Sequence, residues 1–194
     1  MFEYFVVGRD LNPENCAIYE NPGELPNRHY PARGIRMADS YPAGYKFSMS
    51  SDVPGLIVPD VINNALGYFM TSAKLKELLA QRATVEIEYL RFTLLNHKGR
   101  VASDQCFIAN PIGTVDCVDP ERTEGRPDAL NPGQYSRIKK LFLLDDKIPP
   151  SQNLFRIASL PSVLVIRDDL KKDMEAAGIT GANFVAMGGK LVIN

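Results

Sequence analysis

The residues of this 194-residue chain that could do chemistry are few and scattered. There are two histidines, His29 and His97, and three cysteines, Cys16, Cys106 and Cys117. A zinc site draws its ligands from closely spaced pairs, and the sequence has no Cys-x-x-Cys, His-x-x-x-His or His-Glu-x-x-His. Cys106 and Cys117 suit small core residues better than ligands. No metal and no cofactor is therefore expected. A cysteine nucleophile needs a thiolate held beside a base. Only Cys16 and His29 share one region, and no oxyanion loop or flanking motif accompanies them. A buried thiol and a solvent-facing imidazole are the simpler account. Carboxylate pairs stand at Glu86/Glu88, Asp145/Asp146 and Asp168/Asp169. Glu86 and Glu88 fall on one face of an extended strand, where they could share acid and base roles or simply line the wet side of a sheet. Asp168 and Asp169 precede an apolar helical repeat, where the helix dipole favours anions. A Gly-x-Ser-x-Gly elbow and a Walker loop are absent. Gly178-x-x-Gly181 and Gly188-Gly189 do not lie between a strand and a helix start, as a phosphate cradle must. No catalytic residue is assigned.

Charge narrows the partners. Lys and Arg number 22 against 23 Asp and Glu, for a net charge of −1, without the basic excess of a nucleic-acid binder. No run approaches the roughly 20 apolar residues that span a bilayer. Met1–Val7 carries Glu3 and lacks the basic start and cleavage site of a signal peptide. The odd cysteine count fits a reducing compartment. A cytoplasmic protein, binding neither membrane nor nucleic acid, is expected. With 45% hydrophobic residues, a chain of this size buries roughly 70% of its unfolded surface and needs no staple. One segment stands out by charge. Asp116–Asp128 holds Asp116, Asp119, Glu121, Glu124 and Asp128 against Arg122 and Arg126, a local −3. It could steer a basic partner, and a solvated loop with no partner explains it as simply.

The elements that must position these residues follow from periodicity and turn chemistry. Strands are expected at Phe2–Val7, closed by Gly8, and at Cys16–Tyr19. Residues 20–44 carry Pro22, Gly23, Pro26, Pro31, Gly34, Pro42 and Gly44. Proline fixes φ and removes a donor, so an ordered, irregular surface loop is expected. A strand at Tyr45–Met49 and a helical turn at Asp60–Ala65 follow. Leu75, Leu78 and Leu79 share a helical face behind Ser72, whose hydroxyl suits an N-cap. Val85–Phe92 alternates as a strand with one wet side. Cys106–Ile108, Val115–Val118 and Ile138–Leu144 predict further strands, with a turn at Lys98-Gly99 and a second long loop at Asp119–Gly133. Ser162–Ile166 is an apolar strand. Leu170, Met174 and Ala177 mark a second helix, with Gly178 where a left-handed C-cap is needed. Ala182–Met187 and Lys190–Ile193 read as a hairpin about Gly188-Gly189. The fold class is α+β: a mostly antiparallel sheet with two principal amphipathic helices. A single domain over 1–194 is expected, with 1–118 and 136–194 as candidate sub-lobes. Phe69–Ser72 with Leu75 and Leu79 can be laid over Leu164–Arg167 with Leu170 and Met174. A duplicated strand–helix–strand unit accounts for this, and so does chance.

The order of motifs in the last third resembles a known family. Arg137-Ile-Lys-Lys-Leu-Phe-Leu-Leu-Asp145 leads to Lys147-Ile-Pro149, Leu154-Phe-Arg156, Leu160-Pro161, Val163–Ile166 and Leu170–Gly181. Together with the strand–Ser–helix unit at Gly67–Leu79, this resembles the eleventh immunity family of bacterial polymorphic-toxin systems, formerly a domain of unknown function. The resemblance is good over 137–187, fair over 66–118 and weak before residue 60. Arg167 stands where the family has a capping serine, so Asp168 is expected to take over the cap. The resemblance implies a cognate toxin, encoded by a neighbouring gene and bound in the cytoplasm, and no active site; it brings no functional residues to carry over. Candidate toxin-binding residues come from surface chemistry instead: Tyr30, Tyr41 and Tyr45 as aromatic anchors, and Asp116, Asp119, Glu121, Glu124 and Asp128 as acids. Two other classes stay open. One is a small cytosolic enzyme using Cys16, His29 or Glu86/Glu88; the other is an adaptor or chaperone that binds a secreted effector without inhibiting it.

Overall fold

The computed structural model describes residues 2–191 apart from Pro22 and Glu24, and only the main chain of Arg9. In chain order the elements are β1 (Tyr4–Arg9), β2 (Ala17–Ile18), β3 (Lys46–Ser48), β4 (Val61–Asn64), β5 (Met70–Ser72), α1 (Ala73–Arg82), β6 (Ile87–Leu95) and β7 (Val101–Pro111). Then come β8 (Glu124–Pro127), β9 (Tyr135–Lys140), β10 (Leu154–Arg156), β11 (Leu164–Arg167), α2 (Asp168–Ala176) and β12 (Ala182–Ala186). The α+β expectation is met. A six-stranded sheet runs β2-β4-β5-β7-β6-β3, a four-stranded sheet runs β10-β11-β1-β12, and β8-β9 form a ribbon. Pairing is antiparallel except at the two edges of the larger sheet, where β2 lies parallel to β4 and β3 parallel to β6. No helix among the described residues is long and apolar enough to cross a membrane.

The two strand-to-helix units have the same topology. β5 runs without a loop into α1, and β11 into α2. In each unit the strand after the helix is not the neighbour of the strand before it; one antiparallel strand stands between them, β7 in β5-β7-β6 and β1 in β11-β1-β12. A preceding antiparallel strand flanks each unit, β4 beside β5 and β10 beside β11. The inserted strand follows its unit in one case and comes from the far end of the chain in the other. The echo seen in the sequence thus reaches as far as strand order and sense.

Helix starts and stops obey local chemistry. The Ser72 hydroxyl accepts from the Leu75 amide at 3.2 Å, the expected N-cap. Gly178 takes φ +62°, and the Ile179 amide returns to the Met174 carbonyl at 3.0 Å, closing α2. At the start of α2 the expectation needs correction. Arg167 occupies the cap position, where its side chain caps no helix amide, and the Asp168 carboxylate turns to Lys172 at 2.7 Å. Asp169 accepts the Leu170 amide at 2.8 Å and is gripped by both ends of the Arg167 guanidinium.

Four other expectations are corrected. Asp60–Ala65 is not a helical turn: Val61 and Ile62 are buried in β4, and the Asn64 amide closes the β4–β5 turn on the Tyr68 main chain. Asp119–Gly133 is not all loop; it contains β8, a strand exposed along its whole length and so without an apolar pattern to betray it. The C-terminal hairpin does not form among the described residues. β12 pairs with β1, Leu191 donates its amide to Lys139 at 2.8 Å, and Val192–Asn194 lie outside the description. Val115–Val118 makes single bridges, Val115 to Ile157 and Val118 to Leu143, and no strand.

Packing joins the parts. Leu75 and Leu79 of α1 share one core with Leu170 and Met174 of α2, Phe69 and Ala109 beside the larger sheet, and Leu164 and Ile166 of the smaller one. Val163 and Val165 point the other way, into a core with Val6, Ile138 and Ile157. Residues 163–166 are thus buried on both faces, which explains their unbroken apolar run. At the rim of the shared core, Asp60 ties the two units together. Its carboxylate accepts the Ser72 hydroxyl at 2.5 Å, the Thr180 amide at 3.0 Å and the Thr180 hydroxyl at 3.1 Å, with Lys74 at 3.7 Å. Burial pushes this carboxyl up, but those hydrogen bonds and the lysine outweigh it and hold it below the usual carboxylate range.

Asp60→Ala should lower the unfolding free energy by about 2–3 kcal/mol near pH 7, because the Ser72 and Thr180 donors lose their acceptor. A group whose folded-state pKa is depressed contributes fully above its unfolded value and progressively less as pH falls through the folded one. The gap between wild type and variant should therefore narrow as pH drops from about 5 toward 2, as urea melts would show.

Candidate functional site

The residues with catalytic potential are built into the scaffold. Cys16 lies fully buried in the core of Ile18, Met37 and Phe47, and burial pushes its thiol up to about 11. The His29 ring stacks edge-on against Tyr30 at 4.9 Å between centroids, and no contact joins it to Cys16 among the described residues. Cys106 belongs to the same core as Cys16, whereas Cys117 belongs to the one behind the smaller sheet, its thiol pushed up to about 12 by burial. His97 meets the Ser50 carbonyl at 3.0 Å. Among the described residues no group of three or more His, Cys, Asp and Glu is placed to hold a metal ion. Asp145 and Asp146 open an exposed 3-10 turn.

The Glu86/Glu88 pair on β6 has a mechanical task. Glu88 accepts the Met37 amide with both oxygens at 3.0 Å and the Ala38 amide at 2.8 Å, while the Asn110 side-chain amide reaches it at 3.1 Å. Glu86 pairs with Arg36. Both acids thus hold the proline-rich segment onto the sheet. The same segment is pinned elsewhere: Tyr68 donates to the Arg28 carbonyl, Arg156 to the Pro31 carbonyl at 2.9 Å, Gly113 to Gly34 at 2.9 Å and Asn110 to Ile35 at 2.8 Å. Gly34 sits at φ +70°, where a Cβ would stand 2.5 Å from the Gly113 carbonyl oxygen. The expectation of an ordered, irregular loop over residues 20–44 is met for those described, with one 3-10 turn at Ala38–Ser40.

Arg156 belongs to the Leu154-Phe-Arg156 motif, which assigns it no role of its own. It is 1% exposed, bonded to two backbone carbonyls, Pro31 and Pro161, each at 2.9 Å, and its Nε has no partner among the described residues. Burial lowers its pKa to about 10. A cation flanked by Phe155 and Ile157 on an apolar strand was the available hint. It lines a cleft of about 120 Å³ between the two sheets, together with Asn63, Asn64, Gly67 and Ser162.

The candidate contact residues fall in two places. Tyr30, Tyr41 and Tyr45 are half-buried on the pinned segment and the chain that follows it. Tyr41, Tyr45, Phe47 and Phe92 form a ring-to-ring series at 5.7, 5.1 and 4.9 Å. The Tyr45 hydroxyl donates to Asn21 at 2.8 Å, and burial pushes the Tyr41 hydroxyl up. These rings are rigid, which suits anchors, though much of their surface faces inward. The acids are dispersed. Asp119 is 9% exposed and spends its carboxylate on the Glu121 and Arg122 amides at 3.0 and 3.2 Å. Asp128 closes a turn on Leu130 at 2.8 Å, and Glu124 pairs with Lys140 at 2.8 Å. Asp116 and Glu121 remain exposed. β9 returns Arg137, Lys139 and Lys140 beside β8, so residues 116–140 hold five acids and five bases. The excess visible in the linear sequence is cancelled on the folded surface.

Two measurements test this account. In Glu88→Ala the Met37 and Ala38 amides lose their acceptor. Their hydrogen exchange should quicken by about tenfold or more, with a stability loss of about 2 kcal/mol. A thiol reagent at about pH 8 should leave all three cysteines unlabelled in the folded protein and label all three in urea; rapid native labelling of Cys16 would revive it as a nucleophile.

Among curated proteins none matches this chain. The model of the immunity protein family (Imm11) matches residues 5–189, which spans both sheets, both helices and the ribbon. The chain belongs to the Imm11 immunity protein family.

Proposed function

We propose that this protein protects a bacterial cell by binding a cognate toxin in the cytoplasm and neutralising it through protein–protein contact, without chemistry of its own. Family membership across residues 5–189 carries this reading, since an immunity protein has a toxin as its partner. The burial of the thiols and the engagement of Glu86 and Glu88 in holding a loop support a binding rather than a catalytic role. A specific inhibitor needs a preformed surface of about 800 Å² per partner with a few rigid anchors. The pinned segment with Tyr30, Tyr41 and Tyr45, and the ribbon face with Asp116, Asp119, Glu121, Glu124 and Asp128, are two surfaces proposed to contribute.

Co-expression with the product of the adjacent gene, followed by pull-down and a growth assay, tests the reading. A stoichiometric complex that restores growth is expected. A toxic neighbour that is neither bound nor silenced would overturn it, and capture without growth rescue would favour an adaptor.

A further inference from the structure

Two segments distant in sequence, Asp10–Tyr19 and Val53–Asn63, abut along a parallel seam at the edge of the larger sheet. The Cys16 amide donates to the Ile57 carbonyl at 2.8 Å, and the Ile57 amide to the Glu14 carbonyl at 3.0 Å. The seam continues into the β2–β4 pair. Gly55 makes the approach possible, because a Cβ there would stand 2.3 Å from the Asn15 carbonyl oxygen. Three of the seven large apolar residues exposed among those described lie on these two segments: Leu11 at 77%, Leu56 at 62% and Ile57 at 52%. A depression of about 170 Å³ opens between the segments, lined by Leu11, Pro13, Val53, Pro59 and Asn63. Asn63 lines both this depression and the cleft beside Arg156, and its side-chain oxygen is buried and accepts no hydrogen bond from the described residues.

The charge of this face is one-sided. From Asp10 to Asn27, and again from Phe47 to Ala73, the sequence contains no Lys or Arg. Glu14, Glu20 and Asp52 are exposed, and none forms an ion pair among the described residues. Exposed acids elsewhere are paired in some cases, as Glu86 is with Arg36 and Glu124 with Lys140, and unpaired among the described residues in others, as at Asp39 and Glu77, so what marks this face is the lack of bases along both its segments. An apolar centre, a depression that can receive a side chain and an acidic rim together describe the complement of one kind of surface. A second copy presenting the same face would meet it with like charge.

We propose that this face is where the cognate toxin docks, and that the toxin presents to it an apolar side chain flanked by lysine or arginine. The proposal rests on the immunity reading and specifies its partner surface. The apolar contact supplies the slow dissociation, and the acids raise the association rate in a way that salt suppresses.

The test uses the full chain and the toxin encoded beside it, with association and dissociation rates measured at low and high salt. The double variant Leu11→Ser/Leu56→Ser should weaken binding by about 30-fold or more, mainly through faster dissociation. Glu14→Lys/Asp52→Lys should slow association by about tenfold at low salt, with the difference shrinking at high salt. All four positions are exposed, so melting temperatures should stay near wild type, and the charge variant reads the face independently should the apolar one fold poorly. Glu77→Lys/Asp146→Lys, at exposed acids outside every surface proposed to contact the toxin, serves as the comparison and should bind as wild type does. If wild type binds and neutralises the toxin while both face variants bind unchanged, the docking proposal is wrong and the immunity reading stands. If wild type itself fails to bind, both fall. Loss of a wild-type dimer in the apolar variant, with toxin binding intact, would assign the face to self-association and overturn the proposal.

Discussion

Leu75 and Leu79 of α1 and Leu170 and Met174 of α2 lie in one apolar layer between two sheets, and neither helix could be buried without the other. Each presents a stripe of only two fully buried residues to the core, too little apolar surface to stabilise a short helix alone. Placed together under Phe69, Ala109, Leu164 and Ile166, the two stripes cover each other and one face of each sheet. Asp60 sits at the margin of that layer and binds the start of one helix to the turn after the other. The identical order of strands about each helix follows from the same constraint: each sheet offers the layer the same kind of surface, so one solution serves twice.

What was legible in the sequence was whatever local chemistry decides. Ser72 announced α1 through its cap, the apolar run before Arg167 announced β11, and Gly178 announced the end of α2. What was not legible depends on partners distant in the chain. Val61–Asn64 forms a strand because β5 pairs with its first half and β2 with its second; the six residues Asp60–Ala65 after Pro59 read equally well as a helical turn. β8 is exposed throughout and owes its existence to pairing with β9. Nothing between Phe2 and Arg9 says that β1 belongs between β11 and β12.

The same limit governed the surface. Glu86 and Glu88 were recognisable as a same-face pair, but their task of gripping Met37, Ala38 and Arg36 required a loop about fifty residues upstream. The acid excess of Asp116–Asp128 was real along the chain and vanished in space once β9 brought its bases alongside. Conversely, the acids at Glu14, Glu20 and Asp52 were unremarkable in the sequence and acquire meaning only because Gly55 lets two base-free segments lie against each other.

The position of β1 also sets a timetable. Tyr4–Arg9 is synthesised well over a hundred residues before its partners Leu164–Arg167 and Ala182–Ala186. At about 5–20 residues per second, the ribosome leaves that strand waiting for roughly 10–40 s with both edges unpaired. During that interval it is a ready template for aggregation and a natural client for holding chaperones. A chain truncated before Ala182 would leave one edge of β1 open, so β1 is enclosed only once Ala182–Ala186 has been made.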